Sequence, residues 1–262
     1  MKIMLSSLDD AYAGKGNMKW TAEQLINKRI KLKWNLLSYY YIRKYKNFSV
    51  AELVRDHSEE VMIDSGAHSF QFGKKANWEE YTEEYAQFIK NYDRDNVVGY
   101  FEMDIENIIG YKKVLKLRRI LENASDKIIP VWHKNRGIEE YEKMCSDYSG
   151  KVVAIGGFKN TDIRDDQYLS FLKTAKKYSC KVHCLGMTRD SILQKVPFDY
   201  CDSASWQMAA HYGKIGCGRT KRGKITRETS KNNRSAVLIE AYKAGMEMQE
   251  YYYNKWRKVC KD

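Results

Sequence analysis

The fold is indicated by residues 97–132, in which VVGYFEM (97–103) is followed by IIGYKKVLKLRRILE (108–122) and then by KIIPVW (127–132). The first and third stretches are short, apolar and rich in β-branched or aromatic residues, as is typical of buried strands. The stretch between them places apolar residues at helical spacing. A strand, a helix and a second strand in this order predict two parallel strands joined by a helical connection.

The same alternation continues along most of the chain. Apolar, β-rich runs occur at residues 2–6, 36–40, 61–64, 97–103, 127–132, 151–155, 181–185 and 198–203. Helical patterns lie between most of these runs, and a long final helical pattern covers residues 234–258. Eight such strands in 262 residues predict an α/β protein with one domain over 1–262, a (β/α)8 TIM-type barrel. A doubly wound open sheet is the alternative.

The charge balance favours a polyanionic partner. Lys and Arg number 46 against 34 Asp and Glu, which gives a net charge of +12. Such an excess predicts nucleic acid first and an anionic membrane second, with an ordinary lysine-rich surface as the alternative. No apolar run approaches the ~18 residues that a membrane span needs, and residues 1–10 do not resemble a secretion signal. We therefore expect a cytoplasmic protein that does not enter a membrane.

The six cysteines do not predict a metal site. They are scattered, no CxxC pair occurs, and without a secretion signal they indicate reduced thiols. Cys180, His183 and Cys184 lie close together, but in a run that predicts a strand, where successive side chains face opposite ways. No second ligand pair follows at zinc spacing, so we expect no bound metal.

Residues 213–234, GKIGCGRTKRGKITRETSKNNR, are the densest basic stretch of the chain. They lack apolar periodicity, which predicts an exposed loop after the eighth strand. Glycines allow close approach to a nucleic-acid backbone, and Lys and Arg neutralise its phosphates. A solvated surface loop is the alternative. The candidate phosphate contacts are Arg219, Lys221, Arg222 and Lys224.

Acidic residues end three of the predicted strands. Asp64 ends the third, Asp104 follows the fourth, and Asp199 and Asp202 lie in the eighth. Active sites of barrels lie at the carboxyl ends of the strands. A single aspartate there is more typical of a helix cap, but three at one rim favour metal-free acid/base or nucleophilic carboxylate chemistry.

These strand ends also resemble a known family. Residues 64–70, DSGAHSF, resemble the DSGGFQ motif of tRNA-guanine transglycosylases, and residues 155–158, IGGF, resemble their base-binding IGGL turn. Residues 199–206, DYCDSASW, closely resemble the DLFDSASY run of the archaeal members. The motifs stand in the family's order, and the similarity is strongest over residues 61–206.

The resemblance implies a pentosyltransferase on a (β/α)8 barrel. In this family an aspartate attacks C1′ of the target guanosine, guanine leaves, and a 7-deazaguanine then displaces the enzyme from the sugar. A carboxylate nucleophile suits the oxocarbenium-like transition state, as in retaining glycosidases. The resemblance implies no cofactor and no metal at the reacting centre.

The family's catalytic roles carry over to three aspartates. Asp64 corresponds to the acid/base aspartate, and Ser65 and Gly66 follow it in the same motif. Both Asp199 and Asp202 match aspartates of the family. They are three residues apart on an extended strand, so only one can face the pocket. Asp202 matches the nucleophile, while Asp199 stays the alternative.

The resemblance also implies that residues at other strand ends recognise the base. Asp104 lies where the family reads the polar edge of the base with a carboxylate, and His133 falls where the family usually has Gln. The two glycines of IGGF match backbone donors to the carbonyl oxygen of the base. The remaining residues expected to bind substrate are Ser65, Gly66, Gly156, Gly157, Phe158 and Gly186.

Two departures from the family bear on the substrate. The tRNA enzymes have a zinc-binding CxCxxC…H element after the nucleophile strand, and archaeal members add C-terminal RNA-binding domains; this chain has neither. It is most similar to the short phage and bacterial relatives that insert 7-cyano-7-deazaguanine or a related base into DNA. We therefore expect a DNA-guanine transglycosylase in a bacterial or, if phage-encoded, host cytoplasm.

Other functions remain open. One alternative is a tRNA-guanine transglycosylase without the zinc element, and another is a non-catalytic nucleic-acid-binding barrel. A phosphosugar enzyme is disfavoured, because no clear glycine-rich phosphate loop follows the seventh strand. The expected partners are DNA and a 7-deazaguanine base.

Overall fold

A ring of parallel strands forms the centre of the computed structural model, which describes residues 1–8, 21–44, 48–70, 76–156, 163–207, 214–220, 223–228 and 234–260. The sheet has nine strand segments, and two of these flank Pro130 and form one strand, so the barrel has eight strands. They are β1 (Lys2–Ser6), β2 (Leu32–Ser38), β3 (Ser58–Asp64), β4 (Val97–Phe101), β5 (Ile128–Ile129 and Val131–Trp132), β6 (Val152–Ile155), β7 (Lys181–Cys184) and β8 (Tyr200–Ser203).

The strands close into a ring at β5, because its two segments stand at the two ends of the strand order. β1 pairs in parallel with β2 and with β8, and β5 pairs with β4 through its first segment and with β6 through its second. Pro130 divides β5 because proline has no N–H to donate. Its carbonyl oxygen still accepts from the N–H of Ala154 at 2.9 Å, so β5 stays joined to β6. The predicted TIM-type barrel is confirmed.

Helices and helical turns follow most of the strands. They are α1 (Thr21–Asn27), α2 (Tyr39–Ile42), α3 (Ser49–His57), α4 (Trp78–Tyr92), α5 (Glu106–Ile109), α6 (Tyr111–Glu122), α7 (Gly137–Asp147), α8 (Tyr168–Lys177), α9 (Asp190–Leu193) and α10 (Arg234–Trp256). Short 3-10 turns follow β3 at Ala67–Phe70 and β5 at Lys134–Arg136. None of the helices in the described part of the chain is long and apolar enough to cross a membrane.

Side chains of each strand alternate between the inside of the barrel and the layer beneath the helices. On β3, Met62 belongs to the inner cluster and Ile63 to the outer one. The inner cluster fills the barrel and consists of Met4, Trp34, Leu36, Met62, Phe101, Ile129, Val131, Ala154 and Tyr200. A residue two positions after an inward residue also faces inward. The strand ends therefore direct alternate polar residues into the carboxyl mouth of the barrel.

The helix predicted at 234–258 is α10, which packs across β1 and β2. The side-chain amide of Gln249 donates to the carbonyl oxygens of Ile3 (2.8 Å) and Trp34 (2.7 Å). Gly245 lies so close to Leu5 that a Cβ at residue 245 would come within 2.9 Å of its Cδ1. The helix thus completes the outer layer where the first strands would otherwise be exposed.

The basic segment 213–234 differs from its prediction. Instead of an irregular loop, it contains an antiparallel ribbon of two strands, β9 (Lys214–Thr220) and β10 (Gly223–Glu228). Such a ribbon is held by main-chain hydrogen bonds, so it does not require the apolar periodicity whose absence suggested a loop. Arg219 pairs with Lys224 in its register. The side chains of this pair lie outside the described residues, as do Lys221 and Arg222.

Candidate active site

Three of the predicted acids come together at the carboxyl rim of the barrel. Asp64 ends β3 two residues after inward-facing Met62, and Asp202 on β8 stands two residues after Tyr200. Asp104 follows β4 and, like Asp202, is close enough for its negative charge to act on Asp64. The alternation of the strands therefore directs these carboxylates to one mouth.

The environment of Asp64 makes it suitable for proton transfer. Burial, and after it the negative charges of Asp104 and Asp202, raise the pKa of Asp64 to about 7. The backbone N–H groups of Ser65 and Gly66 donate to its carboxylate and act in the opposite direction without cancelling the rise. A carboxyl group with a pKa near neutral pH can both give and take a proton, as a general acid and base must.

The turn after Asp64 is held by its backbone and by tyrosines of α4. Gly66 has φ +77°, and a Cβ there would lie 2.8 Å from the backbone nitrogen of Tyr40 and 2.9 Å from Oγ of Ser38. The hydroxyl of Tyr81 donates to the carbonyl oxygen of Ser65 at 2.7 Å. Ser65 itself is buried. Residues 65 and 66 thus fix the position of Asp64 through their main chain.

Gly66→Ala should therefore destabilise the protein by about 2–4 kcal/mol, which combines left-handed strain with overpacking against Tyr40. Chemical denaturation measures this loss. Gly150→Ala is the matched control, because Gly150 has φ +76° but no atom of the described residues lies within 4 Å of its Cβ position. We expect about 1 kcal/mol there. Equal losses at the two positions would contradict the close packing described for Gly66.

Asp202 is held by donors from three parts of the barrel. Its Oδ1 lies 2.7 Å from the backbone nitrogen of Gly186 and 3.0 Å from Nε2 of His183. Its Oδ2 accepts a longer hydrogen bond, 3.3 Å, from the hydroxyl of Ser6. Both oxygens of the Asp202 side chain therefore accept hydrogen bonds. Gly186 was expected to bind substrate; in the structure its N–H donates to Asp202, and its contact with a substrate stays a prediction.

Asp104 forms a pair with His133 beyond the end of β5. Oδ1 of Asp104 lies 2.6 Å from Nε2 of His133, and Asp104 keeps 27% of its side chain exposed. Burial lowers the pKa of His133, but the hydrogen bond to Asp104 and the charges of Asp104 and Glu106 outweigh it and raise that pKa. The neighbouring carboxylates thus favour the charged form of the His133 ring.

Gly156 lets the ring of His133 approach the end of β6. A Cβ at residue 156 would lie 2.7 Å from Cε1 of His133 and 2.9 Å from Cγ1 of Val131. The N–H of Gly156 donates to the carbonyl oxygen of Trp132 at 2.8 Å. This corrects the expectation of a free donor for the base at Gly156, because the sheet already uses that N–H. Gly157 and Phe158 lie outside the described residues.

Asp199 lies at the opposite end of β8 from the three grouped carboxylates. Its Oδ2 accepts the N–H of Val182 at 2.8 Å, and its main-chain oxygen accepts the N–H of Lys2 at 2.8 Å. Burial raises the pKa of Asp199, and these contacts connect β8 with β7 and β1. The structure therefore brings Asp202, and not Asp199, to the candidate site.

Sequence reasoning missed two residues that contact Asp202. They are His183, which the sequence places only near two cysteines, and Ser6, which no motif marks. Both side chains face into the barrel. The inward direction of Ser6 is predictable from its position two residues after the inward-facing Met4. Among the described residues, no group of three or more His, Cys, Asp or Glu side chains could hold a metal ion.

Comparisons with known proteins do not identify the chain. No family model matches it, and no curated protein sequence matches it. A solved structure from Aquifex aeolicus VF5, described as "Structural study of Project ID", is similar with 8% identity and a TM-score of 0.49. The similarity covers 93% of this chain and 92% of that one. So remote a likeness carries no argument about function, which has to be argued from the site.

Proposed function

We propose that this protein is a guanine transglycosylase that exchanges guanine in DNA for a 7-deazaguanine. The observation that carries the proposal is the contrast between Asp64 and Asp202 at one rim. Asp64 has a pKa of about 7, whereas Asp202 accepts hydrogen bonds on both oxygens. Two carboxyl groups in such different environments suit an acid/base and a nucleophile respectively.

The first half of the proposed reaction removes guanine. A carboxylate oxygen of Asp202 forms a bond to C1′ while the bond from C1′ to N9 of guanine breaks, and the electron pair leaves with the base. Protonated Asp64 gives its proton to the departing base. The charge that develops on the sugar is oxocarbenium-like, and a neighbouring carboxylate stabilises it.

The second half reverses these roles. The carboxylate of Asp64 takes the proton from N9 of the incoming 7-deazaguanine, whose N9 bonds to C1′ as the bond to Asp202 breaks. Asp64 thereby regains the proton that it gave up, and Asp202 returns as a carboxylate. No net proton or electron is gained, and no cofactor is needed.

Asp104 and His133 are the proposed contacts to the base edge. A carboxylate accepts hydrogen bonds from the N1–H and exocyclic amine of guanine and of 7-deazaguanine alike. Among the residues that the structure describes, His133 is the partner of Asp104 and binds its Oδ1, so Oδ2 is the oxygen proposed to face the base. Guanine and 7-deazaguanine must present the same hydrogen-bonding edge to an exchange enzyme, because each base binds in turn at the same place.

A basic and aromatic surface beside the mouth supports a nucleic-acid partner. Ser38 at the end of β2 pairs with Asp64, and α2 follows directly with Tyr41, which is 37% exposed. Arg43 and Lys44 are exposed next to it; Arg43 pairs with Glu84 at 2.8 Å, and Nζ of Lys44 lies 4.3 Å from the ring centre of Tyr40. Exposed rings stack on bases and cations bind phosphates, so this rim could hold a flipped nucleotide and its backbone.

We expect Arg43→Gln together with Lys44→Gln to weaken binding of a single-stranded DNA oligonucleotide at low salt. Each phosphate interaction that these substitutions remove should flatten the dependence of log K on log salt by about 0.7. Lys173→Gln with Lys176→Gln is the matched control, because these exposed lysines of α8 change the net charge equally away from the mouth. Fluorescence anisotropy over a salt series measures both pairs. Equal slopes for the two double variants would show only a general charge effect.

Base exchange itself is tested with labelled 7-cyano-7-deazaguanine, the purified protein, and either DNA or tRNA as acceptor. The proposal expects label in DNA and not in tRNA, and none with Asp202→Ala. Label in tRNA alone would make the protein a tRNA enzyme without the zinc element. If neither nucleic acid is labelled but both bind, the barrel is a binding protein and the proposal fails.

A further inference from the structure

His183 lies directly behind Asp202 and has no contact with solvent. Its side chain is 0% exposed, and its Nε2 is 3.0 Å from Oδ1 of Asp202. The register of β7 and β8 places His183 opposite Tyr200, two residues before Asp202 on the same inward face. The contact is therefore set by the pairing of two barrel strands rather than by a loop.

Apolar and aromatic groups surround the rest of this ring. Phe101 from β4 meets it nearly edge to face, with ring centres 5.0 Å apart at 80°, and Tyr200 lies almost parallel at 6.4 Å. The only carboxylate within hydrogen-bond distance of His183 is Asp202, among the described residues, and the next acid at the mouth, Asp64, interacts with Asp202. Nδ1 of His183 is buried with no hydrogen-bond partner in the described part of the chain.

The unpartnered Nδ1 decides which form of the ring fits this place. A protonated imidazolium carries a proton on both nitrogens, so it would bury an N–H donor without an acceptor. A neutral ring with its proton on Nδ1 would do the same and would also lose the donor to Asp202. The neutral form with its proton on Nε2 leaves only a lone pair without a partner, which is the least costly arrangement.

We propose that His183 is a neutral positioning residue whose Nε2–H, together with the N–H of Gly186, holds Oδ1 of Asp202 and leaves Oδ2 as the attacking oxygen. Two donors withdraw charge from Oδ1 and fix the orientation of the carboxylate. Within the described ranges, Oδ2 accepts only the 3.3 Å contact from Ser6, whose hydroxyl can rotate away. The assignment of the attacking oxygen rests on the proposed function, whereas the form of His183 does not.

The form of His183 is tested without any substrate. Protein labelled with 15N-histidine contains five histidines, and the His183 signals are those absent from His183→Gln. Proton–nitrogen correlation spectra at pH 7 should show a protonated Nε2 and an unprotonated Nδ1. A ring protonated on both nitrogens at pH 7, or on Nδ1 alone, would overturn the proposal whatever reaction the protein catalyses.

The positioning role is tested by two substitutions. His183→Gln keeps an N–H donor at a similar reach but cannot become charged, so formation of the enzyme–sugar adduct should stay within about fivefold of wild type. His183→Leu has a similar volume and no donor, and the rate should fall about 10- to 100-fold, as expected when a hydrogen bond to a charged group is removed. Thermal unfolding identifies variants that do not fold.

The pH profile separates this positioning role from a role of His183 in proton transfer. The adduct-formation profile of His183→Gln should have the same midpoints as that of wild type, because each side chain only donates an N–H to Oδ1 of Asp202 and takes no part in proton transfer. A shifted alkaline limb in His183→Gln, or a Gln variant as slow as the folded Leu variant, would overturn the positioning role. If wild type forms no adduct with DNA or tRNA, the proposed function fails, while the spectra still decide the form of His183.

Discussion

Asp202→Asn is expected to reduce base exchange at least about a thousandfold and to abolish the covalent enzyme–DNA adduct. The amide keeps the size of the side chain but no longer has the carboxylate that forms the bond to C1′. Its oxygen can still accept the N–H groups of Gly186 and His183, so the fold and DNA binding should change little. Denaturing gel electrophoresis of quenched reactions measures the adduct, and anisotropy measures binding.

Asp199→Asn is the matched control on the same strand. Asp199 accepts the N–H of Val182 at the opposite end of β8, and the amide oxygen of Asn can accept it too. The control should therefore react within a few-fold of wild type. An adduct with Asp202→Asn together with none for Asp199→Asn would move the nucleophile to Asp199 and contradict the placement of the site.

The sequence predicts the bounds of a strand most accurately where the strand is a clear apolar run. The apolar runs at 181–185 and 151–155 appear as β7 and β6 with nearly the same bounds. The predicted bounds of the second strand, residues 36–40, were wrong: β2 spans Leu32–Ser38. Tyr39 favours a strand by local preference, yet it begins α2, where its ring packs against Tyr85 and Phe88 of α4. Tertiary packing overrides local preference there.

The acids of the site were predictable because strand ends are local features, whereas their partners were not. Asp64 ends one recognisable apolar run, Asp104 follows another, and Asp202 lies one residue before the end of a third. The contact between His183 and Asp202 depends on the register of β7 against β8, which no single run encodes. The N–H of Gly156 was expected to be free for the same reason, since its acceptor, Trp132, lies on the neighbouring strand.

Asp64→Asn is expected to lower base exchange on the order of a hundredfold or more, because the variant can neither give a proton to guanine nor take one from the incoming base. Wild type should show a pH profile with a midpoint near 7 in the guanine-removing step, where Asp64 must be protonated. That step should slow as the pH rises above 7. Rapid-quench measurement of adduct formation across pH 5.5–8.5 gives the midpoint, which should vanish in the Asn variant.

The same substitution should stabilise the protein, in a pH-dependent way. Because the folded-state pKa of Asp64 is about 7 and lies above its unfolded value near 3.9, folding favours the protonated form. The wild type therefore loses stability as the pH rises from about 4 to 7, and Asn avoids this loss. Each unit of pKa shift corresponds to about 1.4 kcal/mol, and partial exposure of Asp64 reduces the full value, so we expect about 2 kcal/mol at pH 8.

Denaturation at pH 5 and pH 8 measures this difference between Asp64→Asn and wild type. The gain should be larger at pH 8 than at pH 5, since the charged carboxylate is present only at the higher pH. A variant that is inactive but gains stability at high pH is the signature of a group kept for chemistry at the expense of the fold. Near-normal turnover with no pH-dependent gain would instead leave Asp64 as an ordinary cap of the turn that follows β3.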